Sequence, residues 1–403
     1  MKIGIIREGK QPPDRRVPFS PEQCIKITEK FPFTEVFVQP SKIRCFSDDE
    51  YRGAGVCVQE DLSRCDVFMG VKEVPFQDLI PGKTYFFFSH TIKKQAHNRR
   101  LLQEVVRKKI RLVDYEMLTG KDRLRIIGFG RFAGLVGVHN ALVTYGKRNH
   151  LFDLKPAHQC CNLMELKKNI AGLKLPPFKI ALTGGGRVAG GALELLQEIK
   201  LRQVSVDEYL RHNSFDETVF VQLDPVDYNL HKENKPFELN HFFSHPNEYK
   251  GNFLRFCSQT DLLIGAAYWD PKAPVLFTCE EMKKPDFRIQ VIADITCDIE
   301  GSIPSTRRAM TIDNPVYDYN PETGGLEPPY SSEKNVTVMA VDNLPCELPK
   351  DASLDFGKNL IQKVLPYLLG DDEEGVIKRA TIAEDGNLTE QFMYLSDYIS
   401  EEK

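Results

Sequence analysis

The stretch Lys179 to Ala192, KIALTGGGRVAGGA, constrains the fold of this chain more than any other. Ile180, Ala181 and Leu182 make a short apolar run typical of a buried strand, which breaks into Gly184, Gly185 and Gly186 before Ala192 to Ile199 turns helical. A strand, a tight turn and a helix start are therefore expected in succession. Glycines there let the backbone approach a pyrophosphate, and the unpaired N–H groups and dipole of a helix N-terminus favour its negative charge. The expected ligand is a dinucleotide, although a glycine-rich βα turn can also be no more than a turn. Gly184 and Gly186 take the first two places of a GxGxxG pattern and Ala189 the third, where alanine is admitted for close packing. Asp207, after Val204 and Val206, lies about twenty residues further on, the distance at which a carboxylate can hold a ribose hydroxyl.

The 403 residues suffice for two or three domains with real cores. A net charge of −4 and a pI near 6.2, with no basic tract longer than Arg107 to Lys109, argue against nucleic acid or an anionic membrane as partner. The N-terminal MKIGIIREGK is strand-like and has no long apolar region, and no stretch of about eighteen apolar residues occurs. The expectation is a soluble, cytoplasmic protein acting on a small molecule. The ten cysteines are scattered and lack CxxC spacing, so they are expected to be reduced core thiols. Cys160 and Cys161 are too isolated from other ligand types to argue for zinc, and no metal site is read from the sequence.

Residues 2–6 read as a first strand, and Ser20, Pro21 and Gln23 supply an N-cap, a first-turn proline and a capping-box partner for the next helix. Strand-like runs at 35–39, 66–71, 84–89 and 111–114 alternate with a helix over about 95–109, which argues for a parallel sheet. Residues 131–147 form a long helix apolar on most faces, expected to be buried and to lead into a second domain. Beyond it, strands are expected at 203–207, 219–223, 261–266, 288–294 and 335–341, and helices at 353–369 and 388–399. The segment 224–250, rich in Asn, His, Pro and Phe, reads as an insertion of open role. The fold class expected is α/β, with two Rossmann-like domains of parallel sheet separated by a cleft. Residues 1–135 and 345–403 would form a discontinuous substrate domain, and 136–344 a dinucleotide-binding domain.

Arg16 lies in the loop after the first strand, Lys72 closes VFMGVK and His90 closes YFFFSH. Carboxyl ends of parallel strands border the ligand crevice, so these side chains could converge there. Arginine suits a carboxylate, a desolvated lysine can serve as a base, and histidine passes protons near neutral pH. The plain alternatives are solvated loop charges at Arg16 and Lys72 and a helix cap at His90. Asp342 ends a strand in MAVDNLP, and Glu73, Lys93, Glu116 and Arg125 lie near the same strand ends, where surface ion pairs are the ordinary alternative.

The runs GVKEVP (70–75), FFSHTIKKQ (87–95), RLVDYEML (111–118), IIGFGRFAGLVG (126–137) and MAVDNLPCELPKDA (339–352) resemble saccharopine dehydrogenase of the lysine-forming type. They are closer still to the lysine-ketoglutarate reductase half of the bifunctional aminoadipic semialdehyde synthase. The resemblance spans the chain and places it in the wider superfamily of alanine dehydrogenase and transhydrogenase. It implies acid/base roles for Lys72 and His90, and substrate contacts from Arg16, Glu73, Lys93, Glu116 and Arg125. It also implies cofactor contacts from the glycine turn (Gly184, Gly186, Arg187, Val188) and from Asp342, beside Asp207.

The reaction that the resemblance implies is interconversion of saccharopine with lysine and 2-oxoglutarate by hydride transfer, using NAD or NADP. Asp207 favours the ribose hydroxyl of NAD, whereas Arg187, where the bifunctional protein has asparagine, could meet a 2′-phosphate. An alanine dehydrogenase-like enzyme and a non-catalytic nucleotide-binding regulatory protein are the alternatives. Turnover of alanine, or cofactor binding without turnover, discriminates them. Oligomeric state is not legible.

Overall fold

The computed structural model describes residues 1–11 and 13–400, and the chain divides into two units: Met1–Phe129 with Pro349–Lys403, and Gly130–Leu348. The second unit thus starts at the first residue of the helix Gly130–Asn149, not inside it at 136, and closes at 348, not 344.

The first unit is built on parallel strands β1 (Lys2–Ile5), β2 (Glu35–Val38), β3 (Cys57–Val58), β4 (Val67–Met69), β5 (Thr84–Phe87) and β6 (Arg111–Asp114), in the spatial order β3-β2-β1-β4-β5-β6. The order reverses between β1 and β4, and ligands gather outside the carboxyl ends of strands at such a switch point. Apolar β1, β4 and β5 are buried on both faces, as expected of a sheet covered by helices. Ser20 caps the helix Pro21–Lys30 in a full capping box with Gln23. A strand Thr381–Glu384 adds antiparallel to β6 and turns through Asp385 and Gly386, both at positive φ, into Asn387–Leu388. The helix expected over 388–399 is instead this hairpin end, a 3₁₀ segment Glu390–Leu395 and a short helix Ser396–Ser400. The Asp-Gly pair, a strong two-residue hairpin signal, explains the difference.

The second unit carries parallel strands β7 (Lys179–Thr183), β8 (Arg202–Gln203), β9 (Val219–Leu223), β12 (Leu262–Gly265), β13 (Val291–Asp294) and β16 (Val336–Met339). Antiparallel β14 (Val316–Tyr319) and β15 (Leu326–Glu327) extend it, in the order β8-β9-β7-β12-β13-β16-β14-β15. A separate antiparallel pair, β10 (Asn229–His231) with β11 (Tyr249–Gly251), stands outside this sheet, in the segment read as an insertion. The strand expected over 203–207 is only the two-residue β8, which ends at Gln203: Ser205 accepts the Glu208 amide at 3.2 Å and starts a helix, Val206–Arg211. The Ser-x-x-Glu spacing is a capping signature that outweighs two β-branched residues.

The helix Gly130–Asn149 is buried along most of its length, and it crosses Arg187–Glu198 at two glycines. A Cβ on Gly134 would lie 2.0 Å from the Val188 carbonyl oxygen, and one on Gly191 2.0 Å from that of Arg131. Backbone cannot yield as a flexible side chain can. Gly134→Ala is therefore expected to destabilise the second unit by about 3 kcal/mol, the upper range for overpacking, measurable as a lower denaturation midpoint. An unchanged midpoint would show that the two helices separate at little cost.

Candidate functional site

In the first unit, the loops after β1 and β4 are stitched together by a carboxylate that the strand-end pattern in the sequence did not single out. Glu8 accepts the Val71 amide at 2.7 Å and the Lys72 amide at 2.9 Å, across the switch point. Burial, and then the charge of Asp14, push its carboxyl up to about 8, although both amides and Arg16 pull the other way. The rule that drew attention to Arg16, a charged residue following a strand end, applies equally to Glu8. Burial, then the Arg16 and Lys10 charges, holds the Lys72 ammonium below the ordinary lysine value, with Asp14 and Glu73 opposing.

Glu73 joins two bases. His90 Nδ1 lies 2.5 Å from Glu73 Oε1, and Lys10 Nζ donates to Oε2 at 2.9 Å. Burial raises the Glu73 carboxyl, but the hydrogen bond and charge of His90 and the bond from Lys10 reverse this and hold it at about 2. His90 has φ +52, a left-handed conformation that costs a non-glycine residue about 1 kcal/mol and recurs at functional sites. Its side chain makes no helix cap and turns to Glu73. Buried Asp114, at the end of β6, accepts the Ser89 amide (3.0 Å), the Ser89 hydroxyl (2.5 Å) and the Glu116 amide (2.7 Å), so one carboxylate positions the loops carrying His90 and Glu116.

Arg125 and Lys93 both reach Glu116, at 2.7 Å and 3.9 Å. Arg16 is buried, grips Asp14 through two nitrogens and lies over the Phe129 ring, 4.1 Å from its centre. It is thus a guanidinium fixed by a carboxylate, where a solvated loop charge was the alternative. Beside Lys10 and Glu73 opens a cavity of about 760 Å³ lined also by His97, Arg99 and Arg100, at the start of the helix Arg99–Arg107. Lys10 and these three residues carry no signal in the sequence, because only folding brings them beside Glu73.

In the second unit, the glycine turn follows β7 as expected. Gly184 has φ +100, and a Cβ there would lie 2.9 Å from Ala267 Cα. Gly186 is the N-cap of the helix Arg187–Glu198 and makes no side-chain cap, and the positive end of a helix dipole suits an anion. The strand beside β7 is β9, and the acid at its end is Asp224, so close that a Cβ on Gly185 would sit 2.8 Å from Asp224 Oδ1. The Gly184 amide donates to the Leu223 carbonyl at 2.8 Å and the Gln222 side chain to the Gly184 carbonyl at 3.0 Å. Asp207 instead is exposed on the first turn of its helix, because β8 and that helix intervene before the strand that pairs with β7. Asp342 is exposed beyond the end of β16. The carboxyl ends of β7 and β12 border a cavity of about 400 Å³, with Thr183, Gly265, Pro225, Tyr228, Tyr268 and Trp269 among its walls. Thin backbone, an uncapped helix start, a strand-end acid and an aromatic cavity fit a dinucleotide.

Two family models, described as alanine dehydrogenase/PNT, N-terminal domain, and alanine dehydrogenase/PNT, C-terminal domain, match residues 4–136 and 169–391. The chain belongs to this family. Among alanine dehydrogenase/PNT relatives, alpha-aminoadipic semialdehyde synthase of Arabidopsis thaliana is 29% identical over 98% of this chain and 41% of its own length. The mitochondrial protein of that name from Bos taurus is 27% identical over 98% of this chain and 47% of its own. The chain thus spans less than half of these two relatives. Saccharopine dehydrogenase [NAD(+), L-lysine-forming] of Emericella nidulans is 24% identical over 89% of this chain and 90% of its own. Of solved structures, an L-alanine dehydrogenase matches with a TM-score of 0.66 at 16% identity, covering 99% of this chain and all of the other. A transhydrogenase from Sinorhizobium meliloti matches at 0.60 and 17%, covering 96% and 99%. These two likenesses bear on the fold, two Rossmann-like α/β domains. Among the described residues no helix is long and apolar enough to cross a membrane.

Proposed function

We propose that the chain is an oxidoreductase acting on a CH–NH bond, interconverting saccharopine with L-lysine and 2-oxoglutarate. The observation that carries this reading is the ionisable cluster at the β1/β4 switch point, where a depressed lysine stands beside a carboxylate paired with histidine. The saccharopine dehydrogenase relative, aligned over nine-tenths of both chains, supports it. A bound nicotinamide would supply a hydride acceptor. Gly184, Gly186 and the amides of Arg187 and Val188 would hold its pyrophosphate, and Asp224 its ribose.

In the oxidative direction Lys72, unprotonated, takes the proton of the secondary amine as hydride leaves the glutarate carbon, giving a substrate imine. Lys72 returns that proton to the imine nitrogen as water adds to the imine carbon, and His90, oriented by Glu73, takes a proton from the water. The C–N bond of the carbinolamine then breaks as His90 gives its proton to the departing lysine nitrogen and Lys72 takes the hydroxyl proton, leaving the 2-oxoglutarate carbonyl. Arg16 and Arg125 hold substrate carboxylates, and Lys93 and Glu116 steady Arg125 and the amino-acid end. The test is turnover of saccharopine with NAD or NADP, and of lysine plus 2-oxoglutarate with either reduced cofactor. Turnover of alanine instead would move the chain to that reaction, and cofactor binding with no turnover would make it a binding protein.

The cofactor we propose is NAD, on the strength of Asp224, whose charge beside the glycine turn disfavours a 2′-phosphate. Asp224→Ser should raise KM for NAD about tenfold, the scale of one charged hydrogen bond, and narrow the preference over NADP. An unaltered ratio of kcat/KM for the two cofactors would remove Asp224 from the ribose site.

A further inference from the structure

Among the described residues one group of three His, Cys, Asp or Glu side chains has ligand atoms close enough to share an ion, and it lies at the small β10/β11 layer: His231, His241 and Glu248. They come from three different elements. His231 ends β10, His241 sits on the helix Leu239–Ser244, and Glu248 ends the 3₁₀ turn Pro246–Glu248 that leads into β11.

The spacing fits coordination better than hydrogen bonding. His231 Nε2 is 3.5 Å from Glu248 Oε2, and His241 Nε2 is 3.7 Å from the same oxygen. Ligands of a tetrahedral ion with bonds of about 2.0–2.1 Å stand about 3.4 Å apart, whereas a charge-assisted hydrogen bond closes to about 2.8 Å. His231 is 4% exposed, and its Nε2, aimed into this gap, makes no hydrogen bond, which is the arrangement a missing ligand partner leaves. His241 turns its other nitrogen to the Tyr249 hydroxyl at 3.0 Å, the outer contact that fixes a metal-binding imidazole. The Glu233 amide faces His231 Nδ1 at 3.1 Å, and coordination through Nε2 would move the ring proton to Nδ1 and turn that amide away. One backbone bond is thus exchanged for three to an ion.

We propose that His231, His241 and Glu248 bind one Zn²⁺ per chain, with water at the fourth position on the side where His241 and Glu248 are partly exposed. The ion ties β10, the intervening helix and the turn before β11 into one body. Phe242 and Phe243, which follow His241 on that helix, line the 400 Å³ cavity, so the ion also braces a wall of that cavity. The site uses none of the residues assigned to hydride transfer, and its test is independent of that assignment.

The test uses the full chain without an affinity tag, stripped with a chelator, reloaded with Zn²⁺ and desalted. Metal analysis should return about one zinc per chain. His241→Asn and Glu248→Gln, both partly exposed and confirmed folded by circular dichroism, should each weaken zinc binding at least tenfold and abolish the rise in denaturation midpoint that zinc gives the unaltered protein. Co²⁺ in the same site should show the visible bands of a tetrahedral ion without a thiolate charge-transfer band. Retention below a tenth of an ion per chain, retention that survives both substitutions, or a thiolate band from the cysteines overturns the proposal.

Discussion

Lys72→Met is expected to lower kcat about a thousandfold while leaving dinucleotide affinity unchanged. Methionine keeps most of the lysine stem and suits the half-buried position, so the loop after β4 should keep its shape and Glu8 its two amide partners. What disappears is the group proposed to take the amine proton, and positioned acid/base groups contribute about 10²- to 10⁴-fold. The lowered pKa gives this a pH signature. An oxidation that needs unprotonated Lys72 should lose activity as pH falls through a value below the ordinary lysine range, and that limb should be missing from the variant's residual rate. The sign for stability is opposite to that of a salt-bridged lysine. Burial of the ammonium costs stability below the folded pKa, and the cost is relieved as pH rises through it towards 10.5, so the variant should gain most over the unaltered protein near neutral pH. Unchanged kcat would take Lys72 out of the chemistry.

The parallel strands and the glycine turn are legible in the sequence because both are local signals. An apolar run such as Ile180 to Leu182 must be buried, and a glycine at φ +100 between strand and helix has few other uses. Lys72 and His90 are legible by the same route, as charged residues placed just after strand ends. Asp207 misleads because a fixed offset from the glycines assumes that the next strand in sequence is also the next in space. Here β8 goes to the edge and β9 takes the place beside β7, which hands the strand-end position to Asp224. Val316–Tyr319 has no such local signal either, since its pairing with β16 is set by tertiary contact and not by an alternating pattern. Glu8 follows the end of β1 as Arg16 does and is open to the same rule, whereas Lys10 and Arg99 require the folded chain, because nothing within a short window ties them to Glu73.

Glu73→Gln should lower kcat about a hundredfold and should do so through His90. The carboxylate is partly buried, contacts His90 Nδ1 at 2.5 Å and takes a second bond from Lys10, so it holds the imidazole in one orientation and would balance positive charge when the ring takes a proton. Glutamine preserves the size but removes the charge. Two measurements separate this from simple damage. Because Glu73 is depressed from 4.5 to about 2, its contribution to stability is present above pH 4.5 and lost as pH falls through about 2. The stability gap between the unaltered protein and the variant, on the order of 2 to 3 kcal/mol at neutral pH, should therefore close on acidification. In kinetics, Glu73→Gln combined with His90→Gln should cost little more than His90→Gln alone, as expected when one residue acts through another. Independent, multiplicative losses would mean that Glu73 meets the substrate or Lys10 in its own right, and the pairing with His90 would then be structural.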